Sequence, residues 1–154
     1  MSNRQPSQFT VLAIASGGGH WEELMLLRPA LSEGRVVFAT TNRELAVRDG
    51  VEKVHLLPDA NRDEPRLALS SMIASARLVW RLRPHVVVTT GALPGLFCLI
   101  FGRLTGARTV WIDSIAASDR PSLSGALARP FATRWYTQWK HLETAAREYK
   151  GALL

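Results

Sequence analysis

The sequence predicts an α/β fold: a single Rossmann-like domain built on a doubly wound parallel sheet. Short apolar runs rich in β-branched residues alternate with stretches of helical periodicity, which is typical of parallel strands joined by crossover helices. Glycine turns follow the first and the fourth of these runs, at 17–19 and at 91 and 95. The chain has 154 residues, of which 47% are hydrophobic, enough for one packed domain.

The individual elements follow from this alternation. Strands are predicted at 9–15, 35–40, 53–57, 85–90, 108–112 and 134–138. Helices are predicted at 20–31, 43–49, 65–82, 93–104, 123–130 and 141–149. No repeat or linker divides the chain, so residues 1–154 are expected to form one domain.

Charge and apolar content narrow the classes of partner. The formal net charge is +6, with 19 lysines and arginines, which favours an anionic partner such as nucleic acid, anionic lipid or a phosphorylated ligand. The longest apolar stretch, 92–101, is too short to span a bilayer and contains Pro94 and Gly95. A single cysteine, Cys98, excludes an intrachain disulfide. We therefore expect a protein of a reducing compartment that is cytosolic or lies on a membrane without crossing it.

The first glycine turn is a candidate phosphate site. Gly17, Gly18 and Gly19 follow the first strand directly, and His20 opens the next helix. Consecutive glycines let backbone N–H groups approach a ligand, and a helix start adds unpaired donors and partial positive charge. The turn is neither a dinucleotide fingerprint nor a Walker loop, and a ligand-free strand–helix turn is the alternative. His20 is either a general base or a hydrogen-bond donor to the ligand, or else a capping or buried histidine.

Two further strand ends belong to the same edge of the predicted sheet. Gly91 and Gly95 lie at the start of the helix after the fourth strand, where they either help to hold an anion or form an ordinary turn. Asp113 follows the fifth strand, where it either caps a loop or accepts a proton from a sugar hydroxyl. The polar segment 118–125 comes next and either closes over a ligand or caps the following helix. No metal is expected, because no ligand cluster with suitable spacing is present.

The predicted helix 65–82 has two different faces. One carries Leu67, Ser71, Ser75, Leu78, Val79 and Leu82, which suit packing on the sheet. The other mixes apolar side chains with arginines, a pattern typical of helices at a membrane surface. Packing of the tryptophan under a loop is the alternative. The residues of this second face are Arg66, Leu69, Ile73, Arg77, Trp80 and Arg81.

Four motifs occur in the order found in one family of split glycosyltransferases. They are SGGGHWEEL (16–24), TTGALPG (89–95), VWIDSIA (110–116) and SLSGALARPFATRWYTQW (122–139). The chain resembles the anchoring subunit of the two-part UDP-GlcNAc transferase of dolichol-linked oligosaccharide synthesis, and the PssD-type subunits of bacterial exopolysaccharide glucuronosyltransferases. It is more distantly similar to the N-terminal half of the peptidoglycan GlcNAc transferase.

This resemblance implies the N-terminal half of a GT-B enzyme that binds a polyprenyl-diphosphate-sugar acceptor at the membrane. A separate donor-binding subunit supplies the UDP-sugar, so the single chain is expected to be inactive and to need no cofactor. Gly17, Gly18, Gly19, Gly91 and Gly95 match the glycine loops, and Asp113 matches an acidic position. The helix 65–82 matches the membrane patch. The sequence lacks the transmembrane helix of the eukaryotic subunits, which favours a peripheral bacterial form on the cytoplasmic face of the inner membrane.

Other functions remain open at this stage. A non-catalytic scaffold that recruits its partner to the membrane is the main alternative, and a base at His20 or Asp113 separates the two. Between these bases we expect the larger fall in turnover from loss of Asp113. Nucleic-acid binding is not expected, because the basic residues do not accompany a recognition motif. The missing fingerprints disfavour an oxidoreductase or NTPase.

Overall fold

The computed structural model describes residues 9–60 and 63–153, which form a sheet flanked by helices. The strands are β1 Thr10–Ala15, β2 Arg35–Thr40, β3 Val54–Leu56, β4 Val86–Thr89, β5 Arg108–Ile112, β6 Arg134–Thr137 and β7 Glu148–Tyr149. The helices are α1 Gly19–Leu31, α2 Arg43–Arg48, α3 Pro65–Leu82, α4 Ala92–Leu104 and α5 Leu123–Ala128. Short 3₁₀ turns occupy Arg129–Phe131 and Lys140–Leu142.

The sheet has the order β3-β2-β1-β4-β5-β6-β7, and every neighbouring pair of strands is parallel. The predicted doubly wound parallel sheet is therefore confirmed. The chain moves outward from β1 to β3, returns through α3 to β4 beside β1, and then moves outward in the other direction. This reversal leaves a crevice at the carboxyl ends of β1 and β4, the usual ligand site of open α/β sheets.

The helices form two layers on opposite faces of the sheet. On one face, Trp21 and Leu24 of α1 and Ala46 of α2 pack against Ala13 and Ala15 of β1. The other face of β1, through Leu12 and Ile14, contacts Leu78 and Val79 of α3 and Cys98 of α4. The α5 residue Ala128 joins α4 over Trp111 and Trp135. Successive residues of a strand point to opposite faces, so β1 packs against both helix layers.

The amphipathic pattern of α3 positions that helix largely as expected. Ser71, Ser75, Leu78 and Val79 are buried on the sheet side. Leu67 was expected on the same side but is 42% exposed, in the first turn of the helix.

The prediction of a final helix at 141–149 is wrong. A 3₁₀ turn ends at Leu142, Thr144 and Arg147 form an antiparallel bridge, and Glu148 pairs with Tyr136 as the edge strand β7. The segment contains good helix formers, but a helix of this length is marginal without tertiary support. The tertiary contacts here favour the strand, because Arg147 is buried and its Nε donates to the Leu142 carbonyl at 2.8 Å.

Candidate functional site

A cleft of about 960 Å³ lies where the sheet order reverses. One wall is the start of α1 together with the turn between β4 and α4. The other wall is the loop 114–122 and the first turn of α5. The residues that line it are Gly19, His20, Thr90, Gly91, Trp111, Ser114, Ala116, Ala117, Ser118, Asp119, Arg120, Pro121, Ser122, Leu123 and Ala126. The structure thus brings all three predicted strand ends to one cleft.

The glycines of the first turn have three different environments. The Gly17 amide donates to Thr41 Oγ1 at 2.9 Å, so it is already used within the protein. Gly18 is exposed and has a positive φ of 80°, a conformation that favours glycine. Gly19 is exposed and borders the cleft. Intrahelical bonding begins at Trp21, whose amide donates to Gly18 O, so the preceding amides at the helix start are those a ligand would use.

His20 is oriented by a backbone carbonyl. Its Nδ1 lies 2.9 Å from Thr90 O, and because a carbonyl only accepts, Nδ1 carries the proton. In the neutral ring Nε2 is then the acceptor. Thr90 Oγ1 donates in return to His20 O at 2.6 Å, so the start of α1 and the β4–α4 turn are tied together at two points. His20 lines the cleft as a preoriented imidazole.

Gly91 and Gly95 are required for close packing at different places. A Cβ on Gly91 would lie 2.7 Å from His20 Cε1, and its φ of 135° is one that other residues rarely adopt. Gly91 therefore makes room for the imidazole and borders the cleft. Gly95, by contrast, is buried one turn into α4, where a Cβ would collide with Thr89 Oγ1. Gly95 does not line the cleft, so its position does not support the predicted contact with a ligand.

Asp113 does not reach the cleft. Its carboxylate is 2% exposed, and Oδ1 accepts the indole N–H of Trp111 at 2.9 Å. Oδ2 lies 3.7 Å from Nη1 of the buried Arg147. Burial raises the pKa of Asp113, while the Trp111 hydrogen bond and the Arg147 charge lower it without cancelling the effect. Trp111 lines the cleft and Asp113 does not, so the Trp111 indole lies between the carboxylate and the cleft.

Two cleft features were not found from the sequence. Arg120 is the one lysine or arginine among the described residues that line the cleft. It lies in the polar segment 118–125, which the sequence indicated as a possible cover for a ligand without assigning a role to its arginine.

Glu23 of α1 is 2% exposed and accepts hydrogen bonds from the start of loop 114–122. The sequence feature that could have indicated a buried role for Glu23 is its position on the apolar side of α1, one residue before Leu24 and four before Leu27.

The outer face of α3 is exposed, as the amphipathic pattern predicts. Leu69, Ile73 and Trp80 are 53%, 41% and 66% exposed. The arginines at 66, 77 and 81 are exposed beside them. The guanidinium of Arg83 stacks over the Trp80 ring at 4.2 Å, a cation–π contact that the sequence analysis missed. Within the described part of the chain, no helix is long and apolar enough to span a bilayer.

Comparison with solved structures identifies the fold. Acinetobacter baumannii MurG matches with a TM-score of 0.75 at 14% identity, over 92% of this chain and 45% of MurG. A UDP-N-acetylglucosamine 2-epimerase from Rickettsia bellii matches with a TM-score of 0.72 at 9% identity, over 95% of this chain and 45% of the epimerase. The chain thus has the Rossmann-like fold of one half of a GT-B protein and spans just under half the length of these structures. The predicted fold class is confirmed.

Sequence comparison defines the family. Residues 63–153 match the family described as "Oligosaccharide biosynthesis protein Alg14 like". The UDP-N-acetylglucosamine transferase subunit ALG14 of Eremothecium gossypii is 32% identical over 180 residues, covering 97% of this chain and 79% of the relative. The corresponding subunit of Yarrowia lipolytica is 26% identical over 177 residues, covering 94% and 81%. This chain belongs to the Alg14-like family, which confirms the resemblance noted from the motifs.

Proposed function

We propose that this chain is the acceptor-binding subunit of a two-chain glycosyltransferase. In this proposal it binds a polyprenyl-diphosphate-linked sugar at the cytoplasmic face of the inner membrane. A donor-binding partner subunit supplies a UDP-sugar, and together they transfer GlcNAc or glucuronic acid to the acceptor. The names of the relatives, subunits of a UDP-N-acetylglucosamine transferase, favour GlcNAc. The observation that carries the proposal is His20, held by Thr90 O so that its basic nitrogen is Nε2, in the cleft at the sheet reversal.

The acceptor's diphosphate suits the wall of the cleft formed by two helix starts. The amides at the start of α1, after Gly18 and Gly19, supply donors without side-chain obstruction. Gly91 brings the start of α4 to the same cleft. Across the cleft, the Arg120 guanidinium adds a full positive charge that can pair with two phosphate oxygens. Gly17 and Gly95 support these elements through packing rather than through ligand contacts.

His20 supplies the base for an inverting displacement. Its Nε2 takes the proton of the acceptor hydroxyl as that oxygen attacks the anomeric carbon of the donor. The bond from the anomeric carbon to the UDP oxygen breaks, and UDP leaves with the electron pair. Nδ1–H remains bonded to Thr90 O, which stabilises the imidazolium formed. Asp113, the other candidate base from the sequence, is buried on Trp111 and orients that residue.

The outer face of α3 is the proposed membrane contact. Leu69, Ile73 and Trp80 enter the acyl boundary, and Arg66, Arg77 and Arg81 meet lipid phosphates. Each arginine near an anionic surface contributes about 1 kcal/mol. The sequence supports this assignment, because no aspartate or glutamate occurs between Pro65 and Ile112.

Reconstitution tests the proposal. The purified chain, its donor-binding partner and the mixture are each incubated with radiolabelled UDP-GlcNAc or UDP-glucuronic acid and a polyprenyl-diphosphate-GlcNAc acceptor in vesicles. We expect transfer by the mixture only, because in this proposal the partner subunit holds the donor. Full turnover by this chain alone would contradict the split-enzyme assignment. If the mixture of the His20→Ala chain and the partner subunit retains full turnover, this chain would have only a scaffold role.

A further inference from the structure

Glu23 is a buried charge that the proposed chemistry does not use. It lies in α1 between the exposed Glu22 and the buried Leu24, and only 2% of it is exposed. Withdrawing a carboxylate from water is costly unless hydrogen bonds replace the lost hydration. An apolar residue would fit the helix stripe without that cost, so the contacts of Glu23 must explain its presence.

Those contacts reach across the molecule to one end of a loop. Glu23 Oε1 accepts from the Ile115 amide at 2.8 Å and from Ser114 Oγ at 3.0 Å. Ser114 opens the loop 114–122 that forms the second wall of the cleft. Among the described residues, Glu23 Oε2 has no hydrogen-bond partner, so a single oxygen makes the connection.

The Ile115 peptide is held from its other side as well. Its carbonyl accepts the Trp139 indole N–H at 2.8 Å, so both polar groups of one loop residue are fixed by distant side chains. Further along the same loop, Ser118 O contacts His141 Nε2 at 2.7 Å. A loop of this length without secondary structure is expected to be mobile unless such contacts hold it.

Glu23 also shares a helix with His20. Residues three apart lie on the same side of an α-helix, so the base and the loop contact move as one unit. The hydrogen bond from His20 to Thr90 fixes one wall of the cleft, and the bonds from Glu23 fix the other wall relative to it.

We infer that Glu23 is a positioning residue that sets the width of the cleft by holding loop 114–122 against the helix that carries His20. Its role is to accept two hydrogen bonds. Acceptor affinity is then sensitive to Glu23 even though the side chain does not line the cleft. The kinetic part of the test rests on the proposed function, and the exchange measurement below does not.

The kinetic experiment compares Glu23→Met with Glu23→Gln in the reconstituted pair. Methionine matches the shape of glutamate and cannot accept these bonds well, whereas the amide oxygen of glutamine can. We expect Glu23→Met to raise the KM for the lipid acceptor about 10- to 100-fold, the loss expected when hydrogen bonds to a charged group are removed. The KM for the UDP-sugar should not change. Glu23→Gln should stay within about threefold of the parent chain.

Hydrogen–deuterium exchange of the single full-length chain tests the same contact without any substrate. We expect faster exchange of the Ile115 amide and of residues 116–122 in Glu23→Met, with unchanged exchange in β1. This measurement separates the two possible failures. If the parent pair has no transferase activity, the proposed function fails while the exchange result still decides the role of Glu23.

A double-mutant cycle guards against general destabilisation. If Glu23→Met and Ser114→Ala break one shared contact, their combined effect on exchange is smaller than the sum of the two. Ser114→Ala alone tests the contact if Glu23→Met does not fold, and we then expect faster exchange of the Ile115 amide. Unchanged loop exchange in a folded Glu23→Met chain, additive effects, or a Glu23→Gln chain as impaired as Glu23→Met would each overturn the inference.

Discussion

The two helix layers of this domain differ in how they balance charge. In the layer of α1 and α2, Arg48 contacts Glu22 at 2.8 Å and Asp49 at 2.7 Å, and Arg28 donates to the Asp49 carbonyl. The helices α3, α4 and α5 contain no aspartate or glutamate, whereas α3 and α4 contain arginines. Large apolar side chains on these three helices are exposed: Leu67, Leu69, Ile73, Trp80, Leu104, Leu123 and Leu127.

This difference supports the proposal that the two faces have different surroundings. The paired charges of the α1 and α2 layer neutralise each other and are compatible with a surface exposed to water. Arginines among exposed apolar groups, on helices without acidic residues, are best matched by anions and apolar material from outside the protein. The α1 layer carries the proposed base and the α3 layer the proposed membrane contact, so the two roles should separate by mutation.

The largest effect is expected in the α1 layer. His20→Ala should lower turnover of the reconstituted pair roughly 10²–10⁴-fold, the usual contribution of a general base. Steady-state kinetics at saturating donor measure it, and flotation with anionic vesicles should be unchanged. His55→Ala is the matched control, because His55 is an exposed histidine on β3 that does not line the cleft. A fall in turnover of tenfold or less would show that His20 is not the general base.

The next effect belongs to the α3 layer. Trp80→Ala combined with Arg77→Glu should weaken binding to anionic vesicles by a factor on the order of 10–100, since the charge reversal alone removes about 2 kcal/mol. Turnover on a short-chain, water-soluble acceptor should be preserved. Arg43→Glu makes the same charge change on the opposite layer and should have little effect in flotation. Equal loss of binding in both variants would show that net charge, not this face, binds the membrane.

A smaller effect is expected at Asp113. In Asp113→Asn the amide oxygen can still accept the Trp111 indole N–H, so turnover should fall less than tenfold. This reverses our expectation from sequence, which gave Asp113 the larger fall. The contrast with His20→Ala under the same conditions is the measurement. A fall in turnover of 10²-fold or more in a folded Asp113→Asn chain would indicate that Asp113, not His20, is the base.

The smallest effect concerns the paired charges of the α1 layer. Hydrogen bonds from Arg48 and from the Trp21 indole lower the pKa of Asp49. A carboxyl whose pKa is lower in the folded state stabilises the fold above its unfolded pKa and loses that contribution as the pH falls through its folded pKa. Asp49→Asn should therefore lower the melting temperature slightly at pH 7, and the difference should shrink in acid. The exposed Glu33→Gln is the control. A difference independent of pH would assign the effect to packing.

Most of the fold could be predicted because its signals are local. Five of the six predicted helices are confirmed, since amphipathic periodicity and glycine turns act within a few residues of each other. The exception is 141–149, where the local preference is helical but Glu148 pairs with Tyr136 and Arg147 is buried. A short helix gains too little by itself to outweigh such contacts.

The sequence by itself determined the parallel α/β fold, the family, the strand ends that meet at one cleft and the acid-free face of α3. Tertiary structure alone decided which of the candidate side chains reach that cleft. His20 meets Thr90 and Glu23 meets Ile115 across 70 and 92 residues of chain. Whether a polar side chain is buried on another or faces a ligand depends on such distant partners. The sequence therefore singled out His20 and Asp113 by their positions at strand ends and did not single out Glu23, and only their contacts distinguish the three.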